Sequence, residues 1–323
     1  MRAVVCTEFA PIERLRIEER PDPEPGPGQV VVAVRAAGVN FVDGLFVQGK
    51  YQIKPPLPFT PGGEVAGVVA SIGEGVTGIA VGDRVLASSW LGGFATHVTV
   101  SAGAVVPIPG ALTDGQAAAL VQSYGTMLFS LTRRTQVEPG EWVLVLGAGG
   151  GIGLAAIDVA RHLGARVIAA ASTREKLEAA TAAGAEATIA YESEDLKARA
   201  REISGGGVSL VVDPVGGRFA EDALRALGWM GRYLVIGFAG GDIPRLPANQ
   251  VLLNNRTVVG VDWGAWTMRD AEGNRALMAE LVDLVAAGAL HPVEPTAYAL
   301  DDVVRALTDL QDRKVAGKVV LVP

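Results

Sequence analysis

The segment from Trp142 to Lys176, WVLVLGAGGGIGLAAIDVARHLGARVIAAASTREK, constrains the fold of this chain more than any other. Val143 to Leu146 is a short unbroken apolar run, the pattern of a strand buried on both faces of a parallel sheet. Gly147, Gly150 and Gly153 follow three apart, where the periodicity becomes helical with Leu154, Ile157, Val159, Ala160 and Leu163 on the apolar side. A second strand is predicted over Arg166 to Ala170. Strand, glycine turn, helix and strand make a dinucleotide cradle. Backbone without side chains can approach a pyrophosphate, whose charge is met by amide N–H groups and the positive end of the helix dipole. With Gly150 and Gly153 as second and third glycines, Ala148 takes the first place, giving AxGxxG. The residues expected to line the turn are Gly147, Ala148, Gly150, Gly151, Ile152 and Gly153.

The end of the second strand selects the dinucleotide. Folds that prefer NAD place a carboxylate about twenty residues after the glycines, on the ribose 2′-hydroxyl. Here Ala171 stands 18 residues after Gly153, followed by Ser172, Thr173, Arg174 and Lys176. A 2′-phosphate is repelled by a carboxylate and attracted by a guanidinium, an ammonium and a hydroxyl. Charge-assisted bonds of roughly 1.5–3 kcal/mol each make two of them worth about a hundredfold or more toward NADPH. The same stretch also reads as helix capping, with Ser172-x-x-Glu175 as a capping box and the bases as solvated surface. One serine can serve both roles.

A chain of 323 residues favours two domains. Its 49% hydrophobic and 20% charged residues are those of an ordinary globular protein, and a net charge of −7 argues against nucleic acid or an anionic membrane as partner. The start, MRAVVCTEF, shows no signal-peptide core, and the longest apolar stretch is broken by glycines and short of the roughly 20 residues a span needs. A cytoplasmic location is expected. The single cysteine, Cys6, excludes an intrachain disulfide, a four-cysteine zinc site and a CxxC pair; its expected role is a small hydrophobe in the first strand.

Up to about residue 110 the chain shows short β-rich runs, Val30 to Val34, Glu64 to Ser71, Asp83 to Ala87 and Ala95 to Val100, punctuated by glycine and proline. Thr113-x-x-Gln116 then opens a helix. From 142 onward, strands near 142–146, 166–170, 187–190, 208–213, 232–237 and 256–261 alternate with helices, which predicts a doubly wound parallel sheet of six strands. Residues 270–287 and 301–311 look helical, and Lys318 to Val322 a strand. His97, His162 and His291 are far apart, and structural roles are expected for them.

Several further motifs stand in order along the chain: GVNFVD, PGGEVAGVV, GDRV, YGT, the glycine turn, DPVGG and a C-terminal GKVVL. Together they resemble the medium-chain dehydrogenase/reductase superfamily, most closely its zinc-free quinone oxidoreductase branch, over essentially the whole chain. The resemblance implies a GroES-like β-domain of residues 1–122 and 264–323, which carries the substrate, and a Rossmann domain of residues 123–263, which binds NADPH. It also implies a cleft where nicotinamide meets substrate, and a homodimer. Zinc-dependent members carry a cysteine where this chain has Asn40 and a histidine where it has Gly63, so of those positions only Glu64 remains a ligand type, and no metal is expected.

Without a metal, hydride goes to an acceptor activated by hydrogen bonds, which favours quinones and activated enones over simple alcohols and ketones. By resemblance, the catalytic groups are Asn40, orienting a substrate oxygen, Asp43, fixing neighbouring backbone, Tyr51, and Thr126, meeting the nicotinamide carboxamide. Asn40 and Asp43 also read as backbone-satisfying and turn-capping residues. Asn40-x-x-Asp43 followed by Gln48, Gly49 and Tyr51 fits the spacing of mitochondrial-type enoyl-thioester reductases, where the tyrosine is a general acid. Reduction of short acyl-CoA thioesters is therefore the alternative, and a non-catalytic NADPH-binding protein a third. Looser matches add Tyr191 and Arg313 to Ser172, Arg174 and Lys176 as a 2′-phosphate clamp. Val215, Gly237 and Phe238 fall at the carboxyl edge of the predicted sheet, where such sheets bind ligands. Trp263 and Trp266 read equally as a wall for an aromatic acceptor and as core or dimer contacts.

Overall fold

The computed structural model describes residues 1–323, which divide into two compact units. The first comprises Met1–Gln122, Met278–Ala286 and Pro292–Pro323, and the second Ser123–Leu277 and Ala287–His291. Residues 264–277 and 287–291, which the resemblance places with the first domain, group with the second unit. Aromatic contacts hold the start of residues 264–277 there. Trp263 lies so close to Gly125 that a Cβ there would sit 2.9 Å from its ring, and Trp266 stacks on Phe129 at 4.6 Å.

In the first unit, β1 (Arg2–Val5) and β2 (Arg16–Glu19) pair antiparallel, and β3 (Gln29–Val39), β4 (Glu64–Ile72), β5 (Arg84–Ser88), β6 (His97–Ser101) and β7 (Val105–Pro107) follow. Cys6 is buried one residue beyond β1. Thr113 caps the helix Asp114–Ala118 through the predicted box, exchanging 3.0 Å bonds with Gln116.

The second unit carries β8 (Trp142–Leu146), β9 (Arg166–Ala171), β10 (Ala187–Ala190), β11 (Val208–Asp213), β12 (Leu227–Val235) and β13 (Thr257–Gly260). They form a six-stranded parallel sheet in the order β10-β9-β8-β11-β12-β13. Strand order reverses between β8 and β11, the switch point beside which doubly wound sheets bind ligands. Val143 to Leu146 are wholly buried, as the unbroken apolar run requires. The fifth strand begins five residues earlier than its apolar run indicates: Leu227 pairs with Val208, and extra residues of β12 bulge out before the register resumes at Leu210 and Arg232.

The chain ends with β14 (Thr296–Ala299) and β15 (Val319–Val322), which complete the first unit's seven-stranded sheet. Its order is β14-β15-β3-β4-β5-β7, with β6 also on β3. Val30, Val32, Val65, Phe94 and Val319 are fully buried at its core. Two registers matter below: Val319 pairs with Val39, and Gly38 with Glu64. No helix is long and apolar enough to cross a membrane.

Candidate active site

In the first unit, the end of β3 gathers a polar cluster from four distant segments. Antiparallel pairing of β15 with β3 sets Lys318, one residue before Val319, opposite Asn40, one residue after Val39. The β3–β4 register brings Glu64 to the same place. Glu64 is buried, and its Oε1 accepts from Asn40 Nδ2 at 2.9 Å and from the Lys318 ammonium at 2.7 Å, while Oε2 accepts from the Gln122 backbone at 2.7 Å. Lys318 also donates to Asn40 Oδ1. Gly38 makes room for this: a Cβ there would sit 2.4 Å from both Glu64 Oε1 and the Ala118 carbonyl.

Asp43 lies beneath the cluster, 1% exposed, in the first turn of the helix Phe41–Val47. Its Oδ2 accepts from the Asn40 backbone N–H at 2.7 Å, and it also accepts from the backbone of Gly62. Burial pushes its carboxyl up to about 7, against the pull of those two N–H groups and of Lys318; Glu64 adds to the rise. Below that pH Asp43 is neutral, and Lys318 and Glu64 are left as a matched pair. Tyr51 is half-buried, its ring edge-on to Phe46 at 4.8 Å.

The second unit holds the glycine turn. Gly147 has φ +58 and passes beneath Val215, whose Cγ2 would be 2.8 Å from an added Cβ. Gly153 is tighter, with a Cβ meeting the Gly147 carbonyl at 2.4 Å and Ala148 Cα at 2.6 Å, so helix and strand approach at backbone distance. Gly149 presses on Lys176, whose Cβ would lie 2.4 Å away. Gly150 is the N-cap of the helix Gly151–His162, and Gly151 and Ile152 are half-exposed at its open N-terminus. The N–H groups of such a first turn have no intrahelical acceptor.

The turn after β9 differs from the expected capping. Thr173, not Ser172, caps the helix Arg174–Ala182, its Oγ1 accepting from the Lys176 backbone at 3.3 Å. That correction leaves the half-buried Ser172 hydroxyl outside the cap. Arg174 is 92% exposed and pairs with Glu178 one turn on, a surface pair of small worth. After β11, buried Asp213 accepts from the N–H groups of Val215 and Gly216 at 2.7 and 2.8 Å and from the Tyr233 hydroxyl. Gly240 N–H bonds the Val215 carbonyl at 2.7 Å, and Phe238 lies over Gly216. Gly147, Val215, Gly237 and Phe238 are thereby drawn to the carboxyl edge of the sheet.

Thr126 is buried in the helix Leu120–Phe129, and its carbonyl accepts from Ser130 Oγ at 2.6 Å. The Tyr191 ring packs on Phe219 at 4.2 Å. Arg313 follows the helix Val303–Gln311 with φ +58 and belongs to the first unit, whereas Ser172, Arg174, Lys176 and Tyr191 belong to the second. Trp263 and Trp266 make the ring contacts with Gly125 and Phe129 described above. His291 ties its segment to Asp158, which accepts from its backbone at 2.6 Å and from the Tyr124 hydroxyl at 3.0 Å. Sequence reasoning missed Lys318 as a site residue. The GKVVL motif marked its strand, but no spacing rule joins residue 318 to residue 40.

Residues 26–110 match the alcohol dehydrogenase GroES-like domain, and residues 151–287 the zinc-binding dehydrogenase family. The rat quinone oxidoreductase-like protein 2 is 39% identical over 99% of this chain and 91% of its own length. Among solved structures, mycobacterial Rv1454c complexed with NADPH is 34% identical with a TM-score of 0.92, and the Escherichia coli quinone oxidoreductase complexed with NADPH is 31% identical with a TM-score of 0.90. In both cases all of each chain is covered.

Proposed function

The chain belongs to the quinone oxidoreductase-like group of the medium-chain dehydrogenase/reductase superfamily, and on that premise we propose that it is an NADPH-dependent, metal-independent reductase of quinones or activated enones. The observation that carries the cofactor reading is the glycine turn pressed against Lys176, beside a strand end that bears no acid. Its residues fit the group. Gly150, Gly151, Ile152 and Gly153 would hold the pyrophosphate at the helix N-terminus, and Ser172, Arg174 and Lys176 would hold the 2′-phosphate. Bound NADPH supplies the hydride. Arg174 can turn from its exposed pair with Glu178 at little cost.

Zinc, which the matched family's name implies, does not fit the residues present. Glu64 is already neutralised by the Lys318 ammonium at 2.7 Å, and its neighbours are the Asn40 amide and Gly63, which has no side chain to ligate. A divalent cation on Glu64 would stand against that ammonium. Asn40 instead acts by hydrogen bonding: half-exposed and held by Glu64 and Lys318, it orients the acceptor oxygen as hydride arrives. A quinone takes its proton from water.

The second reading, enoyl-thioester reduction, is supported by the spacing of Asn40, Asp43, Gln48, Gly49 and Tyr51 together with a half-buried Tyr51 whose ring packs on Phe46; its hydroxyl would be the acid toward the α-carbon. A homodimer is part of the proposal, supported by edge strand β13 and by Trp229, Met230 and Val258, exposed 70%, 60% and 38% on β12 and β13. The deciding experiment follows NADPH consumption with a planar o-quinone, a simple enone and crotonyl-CoA, with and without a zinc chelator. Turnover of the quinone or enone, unchanged by chelation, is expected. Turnover of crotonyl-CoA alone would select the second reading, and activity that requires stoichiometric zinc would overturn both.

A further inference from the structure

We infer that Lys318 is a positioning residue: with Glu64 it locks the Asn40 side chain in the one orientation that presents an amide N–H to the acceptor oxygen. The inference rests on the reading of Asn40 as the group that orients the acceptor.

The chemistry of the three groups allows a single arrangement. An ammonium can only donate and an ionised carboxylate can only accept, whereas a primary amide has one end of each kind. Asn40 Oδ1 therefore faces the Lys318 ammonium and Nδ2 faces Glu64 Oε1 at 2.9 Å. Turning the amide over would set its carbonyl against the carboxylate and its NH2 against the ammonium. The Asn40 amide carries two N–H groups, and Glu64 takes one. The other remains for a ligand, on a residue that is half-exposed while Glu64 is 1% exposed and the Lys318 side chain 10%.

The posts that hold the amide are themselves fixed. Glu64 Oε2 is tied to the Gln122 backbone at 2.7 Å, and its other oxygen fills the space that Gly38 leaves beside β3. Lys318 is carried in by β15 pairing, residue by residue, with β3. A buried ion pair is weak evidence for stability, since desolvation offsets its attraction, so holding a third group in place accounts better for this one. The ammonium at Oδ1 also draws electron density from the amide nitrogen, which makes the remaining N–H a stronger donor.

The test uses the full chain with NADPH bound. The double variant Lys318→Met/Glu64→Gln removes both buried charges together, so neither is left unpaired, and Lys318→Arg keeps the charge and the donors. Side-chain amide relaxation by NMR, with the Asn40 resonance assigned by its loss in Asn40→Asp, reports orientation directly. The expected result is a rigid Asn40 amide in the wild type and in Lys318→Arg, and a mobile one in the double variant. With the quinone as acceptor, kcat of the double variant should fall at least tenfold while NADPH affinity stays within twofold, and Lys318→Arg should retain kcat within threefold. An Asn40 amide already mobile in the wild type overturns the inference without any variant. So does a double variant with a rigid amide, or one whose amide loosens without loss of kcat. If the wild type reduces no acceptor at all, the reductase reading falls, while the amide measurements still decide the role of Lys318.

Discussion

Substituting Gly153 by alanine tests the claim that helix and strand meet at backbone distance beneath the proposed pyrophosphate site. The new Cβ would lie 2.4 Å from the Gly147 carbonyl and 2.6 Å from Ala148 Cα, and neither obstacle is the tip of a flexible side chain. Ordinary carbon contacts need about 3.5 Å, so the helix Gly151–His162 must retreat by about 1 Å. Its inner face, Ala155, Ala156, Ile157, Val159 and Ala160, is wholly buried, so that retreat opens gaps along a packed core. Overpacking of this kind costs about 1–3 kcal/mol, here toward the upper end because backbone must move, while alanine in place of glycine in a helix returns roughly 0.5–1 kcal/mol. The net loss is about 1–2 kcal/mol, which for a unit of roughly 160 residues lowers Tm by about 2–8 °C. The same displacement moves the N–H groups that would meet the pyrophosphate in the proposed site, and NADPH affinity should drop at least tenfold. Calorimetry and NADPH fluorescence titration read the two effects, with Gly260→Ala as control, since a Cβ there meets nothing within 4 Å. A Gly153→Ala protein that melts within a degree of the wild type and binds NADPH unchanged would refute the argument.

Three further outcomes are expected. Arg174→Ala should raise the Kd for NADPH about tenfold or more and leave NADH binding nearly unchanged, by titration of both; an unaltered NADPH Kd removes Arg174 from the 2′-phosphate site. Tyr51→Phe keeps the ring contact with Phe46, so quinone reduction should survive while any enoyl-thioester reduction falls by roughly 10²-fold, and equal losses on both would undo the division of roles. Asp43 has its folded-state pKa raised from 3.8 to about 7, so its contribution to stability is fully present below about pH 4 and is lost as pH rises through 7, by roughly 4 kcal/mol in all. Asp43→Asn should remove that component, and a wild-type minus variant stability difference that is flat from pH 5 to 8 in urea melts would show that the carboxyl is not so perturbed.

The second unit was legible residue by residue because its signals are local. An apolar run of strand length, glycines three apart and a helical period each describe positions a few residues from one another, and β8, β9 and the helix between them stand where those patterns place them. Even there a shift of one residue, from Ser172 to Thr173, decided the cap, since either hydroxyl can accept an N–H three residues on and only the helix start chooses between them. The first unit was legible as alternating strands, and Asn40 and Asp43 as a spaced pair. What tertiary structure alone decided is the environment of that pair. Lys318 meets Asn40 across 278 residues because β15 enters the sheet in one register and not the next, and a slip of a single residue would turn the lysine away. Glu64 becomes an anchor for the amide, and Asp43 a carboxyl that holds its proton to about pH 7, only through burial. Spacing along a chain encodes which groups share a helix turn or a strand face; which distant groups are taken out of water together is set by packing.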